Sequence, residues 1–363
     1  MAGITPEVRA LMRPSAAALE PYDPAFSPVD VILSANENNY GIPSEVAPIL
    51  AEAVAGAAWN RYPAPLGGRL RARLAAWHGV APEQVIIGNG GDELLFNLFL
   101  AFGGAGHTLV SCPPTFSVYD LYASMVETPV AEVFRGRDFA PNVDALAEAA
   151  RTATLVVVTS PNNPTGDLFP REGVRRLCEA CPGIVLVDEA YIEFSDPGSS
   201  VDDLLGEYEN LAVLHTFSKA FALAGARVGY VLAGAPVVAA LAAVRQPYSV
   251  SAPDQAAALA AVTHREAFRP AIEAIRLGRG RLSAMLGGLA PLGVRVWPSQ
   301  ANFVCARVPH AHDVWRRLRD EHSILVRDFS STPGLEGCLR ITVGTPGEID
   351  LVAAALDTIL KGE

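Results

Sequence analysis

The sequence predicts an α/β protein in two parts. The larger is a mixed, mostly parallel sheet flanked by helices, and the smaller is an α+β C-terminal domain. Between residues 85 and 233, short runs of Val, Ile and Leu alternate with stretches of helical periodicity, the pattern of parallel strands buried on both faces. Polar clusters recur directly after those runs, at 90–93, 112–116, 160–166, 188–191 and 216–219. Ligands of such sheets sit at the carboxyl ends of the strands, so clusters gathered on that edge point to a single site. A helical stretch over 236–289 then gives way to strands alternating with helices in a second unit.

In chain order, residues 1–30 are rich in Pro and Ala, and Pro14, Pro21, Pro24 and Pro28 make them an irregular arm with room for one short helix. Residues 31–33 read as a strand that runs into the polar loop 34–41. Ser44 is expected to cap a helix to about Gly56, with Ile49, Ala53 and Val54 inward. Gly67 and Gly68 open a second helix, to about His78. Strands are expected at 85–87, 108–110, 130–133, 155–158, 184–187, 212–214 and 228–232, with helices at 94–102, 115–124, 141–150 and 170–178 between them. Beyond the helical stretch come strands at 294–297, 303–308, 324–326 and 339–343, with helices at 311–321 and 348–359. Residues 1–35 read as an arm plus part of the small domain, 36–250 as the large domain and 251–363 as the small C-terminal domain.

The totals narrow the function. Half of the 363 residues are hydrophobic, enough for a sizeable core. A net charge of −11 argues against nucleic acid as a general partner. Cys178 and Cys181 have CxxC spacing but no second pair and no histidine pair at zinc spacing, so no metal is expected. The first residues lack a basic stretch followed by an apolar run, and no apolar stretch reaches the roughly 18 residues of a membrane span. The expectation is a soluble, cytoplasmic protein.

The chemistry centres on one lysine. Of 28 Lys and Arg residues only two are lysine, Lys219 and Lys361, and Lys361 stands in the tail. Arginine cannot be deprotonated to act as an amine nucleophile, whereas a desolvated lysine can. Lys219 lies between apolar runs, with hydroxyls at Thr216 and Ser218 and a cation at Arg227. That suits a Schiff-base lysine beside phosphate ligands; a surface lysine is the plainer alternative. Asp188 ends a buried strand, where a carboxylate needs a cation such as a protonated pyridine nitrogen. Tyr191 and Asn163 can bond a phenolate oxygen. Gly90, Gly91 and Asp92 stand before a helix and offer N–H groups to a phosphate. Phe116 can stack on an aromatic ring or pack in the core. Arg327 and Arg340 sit in apolar strands, where guanidinium groups call for an anion; an ion pair with Asp328 is the alternative for Arg327.

Four segments together resemble the fold-type I, pyridoxal-phosphate-dependent aminotransferases: Ser160-Pro161-Asn162-Asn163-Pro164-Thr165-Gly166, the run from Val187 through Asp188 and Tyr191 to Phe194, the run from Ser218 and Lys219 to Gly225, and the run from Gly337 through Arg340 to Thr345. Among these enzymes the chain is most similar to the histidinol-phosphate aminotransferases. The resemblance implies that Lys219 carries pyridoxal 5'-phosphate, with Asp188 at the ring nitrogen and Tyr191 and Asn163 at the ring oxygen. It implies that Gly91, Asp92, Thr216, Ser218 and Arg227 form the phosphate cup and that Phe116, often tyrosine in the family, stacks on the ring. Tyr62 is implied to reach the cofactor of a neighbouring subunit, making a homodimer with shared active sites. Tyr22, Asn36, Asn163, Arg327 and Arg340 are implied to bind substrate. The implied reaction is transamination of L-histidinol phosphate with 2-oxoglutarate to imidazole-acetol phosphate and glutamate. Its rivals are an aromatic or broad-specificity aminotransferase, a decarboxylase or oxidase on the same scaffold, and a cofactor-binding regulator without turnover.

Overall fold

The computed structural model describes residues 4–19 and 28–362. The strands are β1 (Val31–Leu33), β2 (Val85–Asn89), β3 (Leu109–Ser111), β4 (Val130–Glu132), β5 (Leu155–Thr159), β6 (Ile184–Asp188), β7 (Leu211–Thr216), β8 (Val228–Ala233), β9 (Arg295–Val296), β10 (Phe303–Arg307), β11 (Ile324–Asp328) and β12 (Cys338–Thr342). They form two sheets. The larger has seven strands in the order β2-β8-β7-β6-β5-β3-β4, and β8 runs antiparallel to both its neighbours while the other pairings are parallel. Strands β5 to β8 are buried along their whole length. Their unbroken apolar runs therefore reflect cover on both faces.

Helices supply that cover. Gly90–Phe102 buries Leu94, Leu95, Leu98 and Phe99 on one side, each such side chain contributing about 1.5–3 kcal/mol. The parallel register aligns Thr159 with Asp188, so the ends of β5 and β6 project polar side chains at one level beside the end of β7.

The smaller sheet has the order β1-β11-β12-β10-β9. Its first strand comes from the N-terminal part of the chain: Val31 pairs with Ile324 and Leu33 with Val326. This crossing brings the loop after β1 against the end of the large sheet. Arg279, on the long helix Arg269–Gly288, donates to the carbonyls of Phe194 and Ala301 and ties the two sheets' loops together. No helix among the described residues is long and apolar enough to cross a membrane.

Two expectations are corrected. The helix expected from Ser44 spans Ala47–Ala55, its N-cap is Val46 with no side-chain cap bond, and none of its residues is buried. Ile49 points outward, 38% exposed, because Val46 takes the buried position at the helix entry. The helix expected from Leu94 begins at Gly90, so the glycine pair belongs to its first turn. The arm holds two short helices among its described residues, Pro6–Arg9 and Pro14–Ala17. All five cysteines are free and buried.

Candidate active site

The carboxyl ends of β5, β6 and β7, the start of helix Gly90–Phe102, the loop after β1 and the strands β11 and β12 enclose a cavity of about 450 Å³. Lys219 stands in its wall. The Nζ donates to the carbonyl of Ala35 at 2.8 Å and lies 5.9 Å from the centre of the Tyr191 ring. Burial, reinforced by the nearby Arg340 and Arg227 and opposed by Glu37, pushes the amine down to about 8. A lowered pKa of this kind is what an amine nucleophile requires at neutral pH.

Asp188 faces the cavity from the end of β6. Its Oδ2 accepts from the Tyr119 hydroxyl at 2.7 Å and its Oδ1 from the Ala190 N–H at 3.1 Å. Burial still pushes the carboxyl up to about 6, against the pull of those two donors. Tyr119 is a site residue that sequence reasoning missed. It stands in the first turn of helix Val118–Met125, three residues after Phe116, which precedes the helix. The two rings meet edge to face, 5.7 Å apart. Replacing Tyr119 with Phe deletes a charge-assisted bond worth about 1.5–3 kcal/mol. Turnover is expected to fall roughly tenfold. The acid limb of the pH–rate profile should move to higher pH, because a donor that lowers the Asp188 pKa is gone; steady-state rates across pH check both.

An anion cradle occupies the other end. The N-terminus of helix Gly90–Phe102, the hydroxyls of Thr216 and Ser218 and the guanidinium of Arg227 converge there. A Cβ on Gly229 would lie 2.8 Å from the backbone of Gly90 and Gly91, and one on Gly90 would lie 2.5 Å from Arg227 Nη2. The close approach of β8 and Arg227 to the helix start therefore depends on the missing side chains. Arg227 also pairs with Asp92 at 2.8 Å and donates to Ser218 Oγ at 3.4 Å. Free N–H groups at a helix start and a permanent cation suit a phosphate.

The substrate-facing wall is built from both sheets. Asn36 Nδ2 donates to the Tyr191 hydroxyl at 3.1 Å. Arg340 donates to Asn163 Oδ1 and to the carbonyl of Ser34, and its guanidinium lies over the rings of Phe303 and Phe329. Arg327 on β11 stands directly opposite Arg340 on β12. The Asp328 carboxylate bonds His312 and the Ser330 N–H. Gly91, Asp92, Phe116, Asn163, Thr216, Ser218 and Arg227 all line the same cavity, with Asn36, Arg327 and Arg340. Tyr62 does not: it is 82% exposed and stacks on Tyr248 at 4.6 Å. Tyr22 lies outside the described residues. Behind the sheet, His78 bonds Asp202 at 2.8 Å and Tyr230 at 2.9 Å, with His215 close by, a grouping that no sequence spacing reveals.

This fold and cavity define a class of enzyme. Residues 29–356 match the model of the aminotransferase class I and II family, and the chain belongs to that family. Its relatives narrow the comparison. A histidinol-phosphate aminotransferase of Thermococcus gammatolerans is 39% identical over 346 residues, covering 95% of this chain and 96% of that one. The crystal structure of histidinol-phosphate aminotransferase from Sinorhizobium meliloti, in complex with pyridoxal-5'-phosphate, superposes with a TM-score of 0.88 at 26% identity, covering 97% of this chain and 98% of that one. The L-threonine-O-3-phosphate decarboxylase of Porphyromonas gingivalis superposes with a TM-score of 0.80 at 26% identity, covering 91% and 99%.

The enzyme is a transaminase that uses pyridoxal phosphate, and the residues present fit that cofactor. A buried carboxylate whose pKa is raised by burial matches a pyridinium. The glycine-lined helix start and Arg227 match the phosphate, and the amine of Lys219 shares the cavity with both. Capture of pyridoxal phosphate by the apoprotein needs this amine unprotonated. Its rate, followed by the growth of visible absorbance, is expected to rise with pH to a midpoint near 8, against 10.5 for an ordinary lysine.

Proposed function

We propose that this enzyme transfers the amino group of L-histidinol phosphate to 2-oxoglutarate, giving imidazole-acetol phosphate and glutamate. The observation that carries the reading is the facing pair Arg327 and Arg340 on the cavity wall. Two guanidinium groups suit the phosphate of one substrate and the carboxylate of the other. Relatives named histidinol-phosphate aminotransferase, similar along nearly the whole chain, support it.

When bound, the cofactor supplies an electron sink for charge developing at the substrate carbon. Asp188 keeps the ring nitrogen protonated, and Tyr119 holds that carboxylate in place. Tyr191 and Asn163 bond the ring oxygen, and Phe116 covers a ring face. Gly91, Asp92, Thr216, Ser218 and Arg227 hold the phosphate. Lys219 Nζ, with its lowered proton affinity, takes the proton from the amine-bearing carbon of the substrate. Asn36 and Arg340 orient the substrate on the opposite wall.

The exposed Tyr62 suits a second role, reaching the phosphate of a neighbouring subunit's cofactor in a homodimer. The outward face of helix Ala47–Ala55 suits the same subunit contact. Five free, buried cysteines suit a reducing cytoplasm.

The test mixes the holoenzyme separately with histidinol phosphate, glutamate and phenylalanine and follows the loss of cofactor absorbance in a single turnover. Fast conversion with the first two and little with phenylalanine is expected. Preference for phenylalanine would move the enzyme to the aromatic group. Likeness to a phosphothreonine decarboxylase makes release of carbon dioxide from phosphothreonine the second product to assay; substantial release would displace the transamination reading.

A further inference from the structure

The charges of the cavity are nearly all engaged. Asp92 is paired with Arg227, and Asp188 is bonded by Tyr119 and Ala190. Arg340 and Arg327 form the anion wall. Glu37 lines the same cavity and has neither a cation paired to it nor a side-chain hydrogen bond among the described residues.

Its position is fixed by its neighbours. Asn36 is buried in a left-handed conformation, φ 56°, and every polar group it has is bonded. Its N–H donates to Thr342 Oγ1 and its Nδ2 to the Tyr191 hydroxyl, while its Oδ1 accepts from Thr342 and its carbonyl from Asn302. Asn38 is buried too and donates to the carbonyl of Ala220. Glu37 is thus an exposed carboxylate held between two anchored, buried residues. A left-handed residue costs about 1–3 kcal/mol unless its surroundings hold it, and here they hold the one that sets the direction of Glu37.

We infer that Glu37 is a specificity residue that receives the imidazole ring of the amino donor. This rests on the proposed substrate. With the amine at Lys219 and the phosphate on Arg327 and Arg340, the remaining end of histidinol phosphate is a ring that carries an N–H donor in either charge state and a positive charge when protonated. Glu37 is the cavity carboxylate left to accept that N–H. The same carboxylate repels the second carboxylate of glutamate or 2-oxoglutarate, so it separates the two half-reactions by sign.

The test compares kcat/KM for the two half-reactions, with histidinol phosphate and with glutamate, in wild type, Glu37→Gln and Glu37→Lys. A charge-assisted hydrogen bond is worth about a factor of ten or more. The ratio of the histidinol phosphate constant to the glutamate constant is expected to fall roughly tenfold in Glu37→Gln and further in Glu37→Lys. An unchanged ratio overturns the inference. So does an equal fall in both half-reactions with a shift in the pH midpoint of cofactor absorbance, because Glu37 would then act only through Lys219. Wild-type enzyme that fails to turn over histidinol phosphate defeats the substrate reading itself, and this inference with it, before any variant is compared.

Discussion

Turnover of the Lys219→Ala and Lys219→Arg enzymes is expected to fall by about four orders of magnitude, the upper range for loss of a group that serves in proton transfer, with a further loss from the role proposed for the same amine in carrying the cofactor. The arginine variant is the sharper case. It preserves a cation near Arg340 and Arg227, yet a guanidinium stays protonated at any pH the protein survives. If charge alone were needed, arginine would retain activity; if a free amine is needed, it is as inactive as alanine. The fold should survive both changes. Among the described residues the only hydrogen bond from Nζ goes to the carbonyl of Ala35, and the side chain is partly open to the cavity. Steady-state rates together with a thermal melt separate the two effects. Retention of more than about a hundredth of wild-type turnover would contradict the role given to Lys219.

Asp188→Asn is expected to lower turnover by about 10² to 10³-fold, the loss typical of removing one preorganised electrostatic group from a reaction centre. Asparagine keeps a single oxygen, for one of the two donors that Asp188 accepts from, the Tyr119 hydroxyl or the Ala190 N–H, and it cannot balance a pyridinium. The same change has an opposite consequence for the apoprotein. Burial raises the folded-state pKa of Asp188 to about 6 from 3.8. A carboxyl whose folded pKa is raised helps stability below its unfolded value, and that help is lost as pH rises through the folded value. At neutral pH the ionised Asp188 therefore weighs against the folded apoprotein by an amount on the order of 1–3 kcal/mol. The variant apoprotein should melt higher than wild type above pH 6, and the difference should close toward pH 3.8. A variant that melts lower at neutral pH would show that the carboxylate is already balanced by something other than the cofactor.

Much of this site was legible in the sequence, for local reasons. A strand buried on both faces leaves an unbroken apolar run, and a polar cluster at its end marks the edge where side chains reach a ligand. Strands β5, β6 and β7 follow that rule, and Thr159, Asp188 and Thr216 end them. Lys219 is conspicuous because, apart from Lys361 in the tail, the chain uses arginine where it could use lysine. Where a reading failed, local pattern was weighed without its partner. Ile49 has helical spacing, but spacing cannot say which neighbour takes the buried place, and Val46 does.

The sequence by itself determined the alternation of elements, the residue types at the strand ends and the setting of Lys219 between apolar runs and hydroxyls, because each follows from neighbours along the chain. Only the tertiary structure decided which groups meet. It set the Tyr119 hydroxyl against Asp188, laid the Lys219 amine on the carbonyl of Ala35 and placed Glu37 at the cavity by pairing Val31 with Ile324. These contacts join positions far apart in the chain. Their energies depend on desolvation and geometry that exist only once both sheets have closed around the cavity.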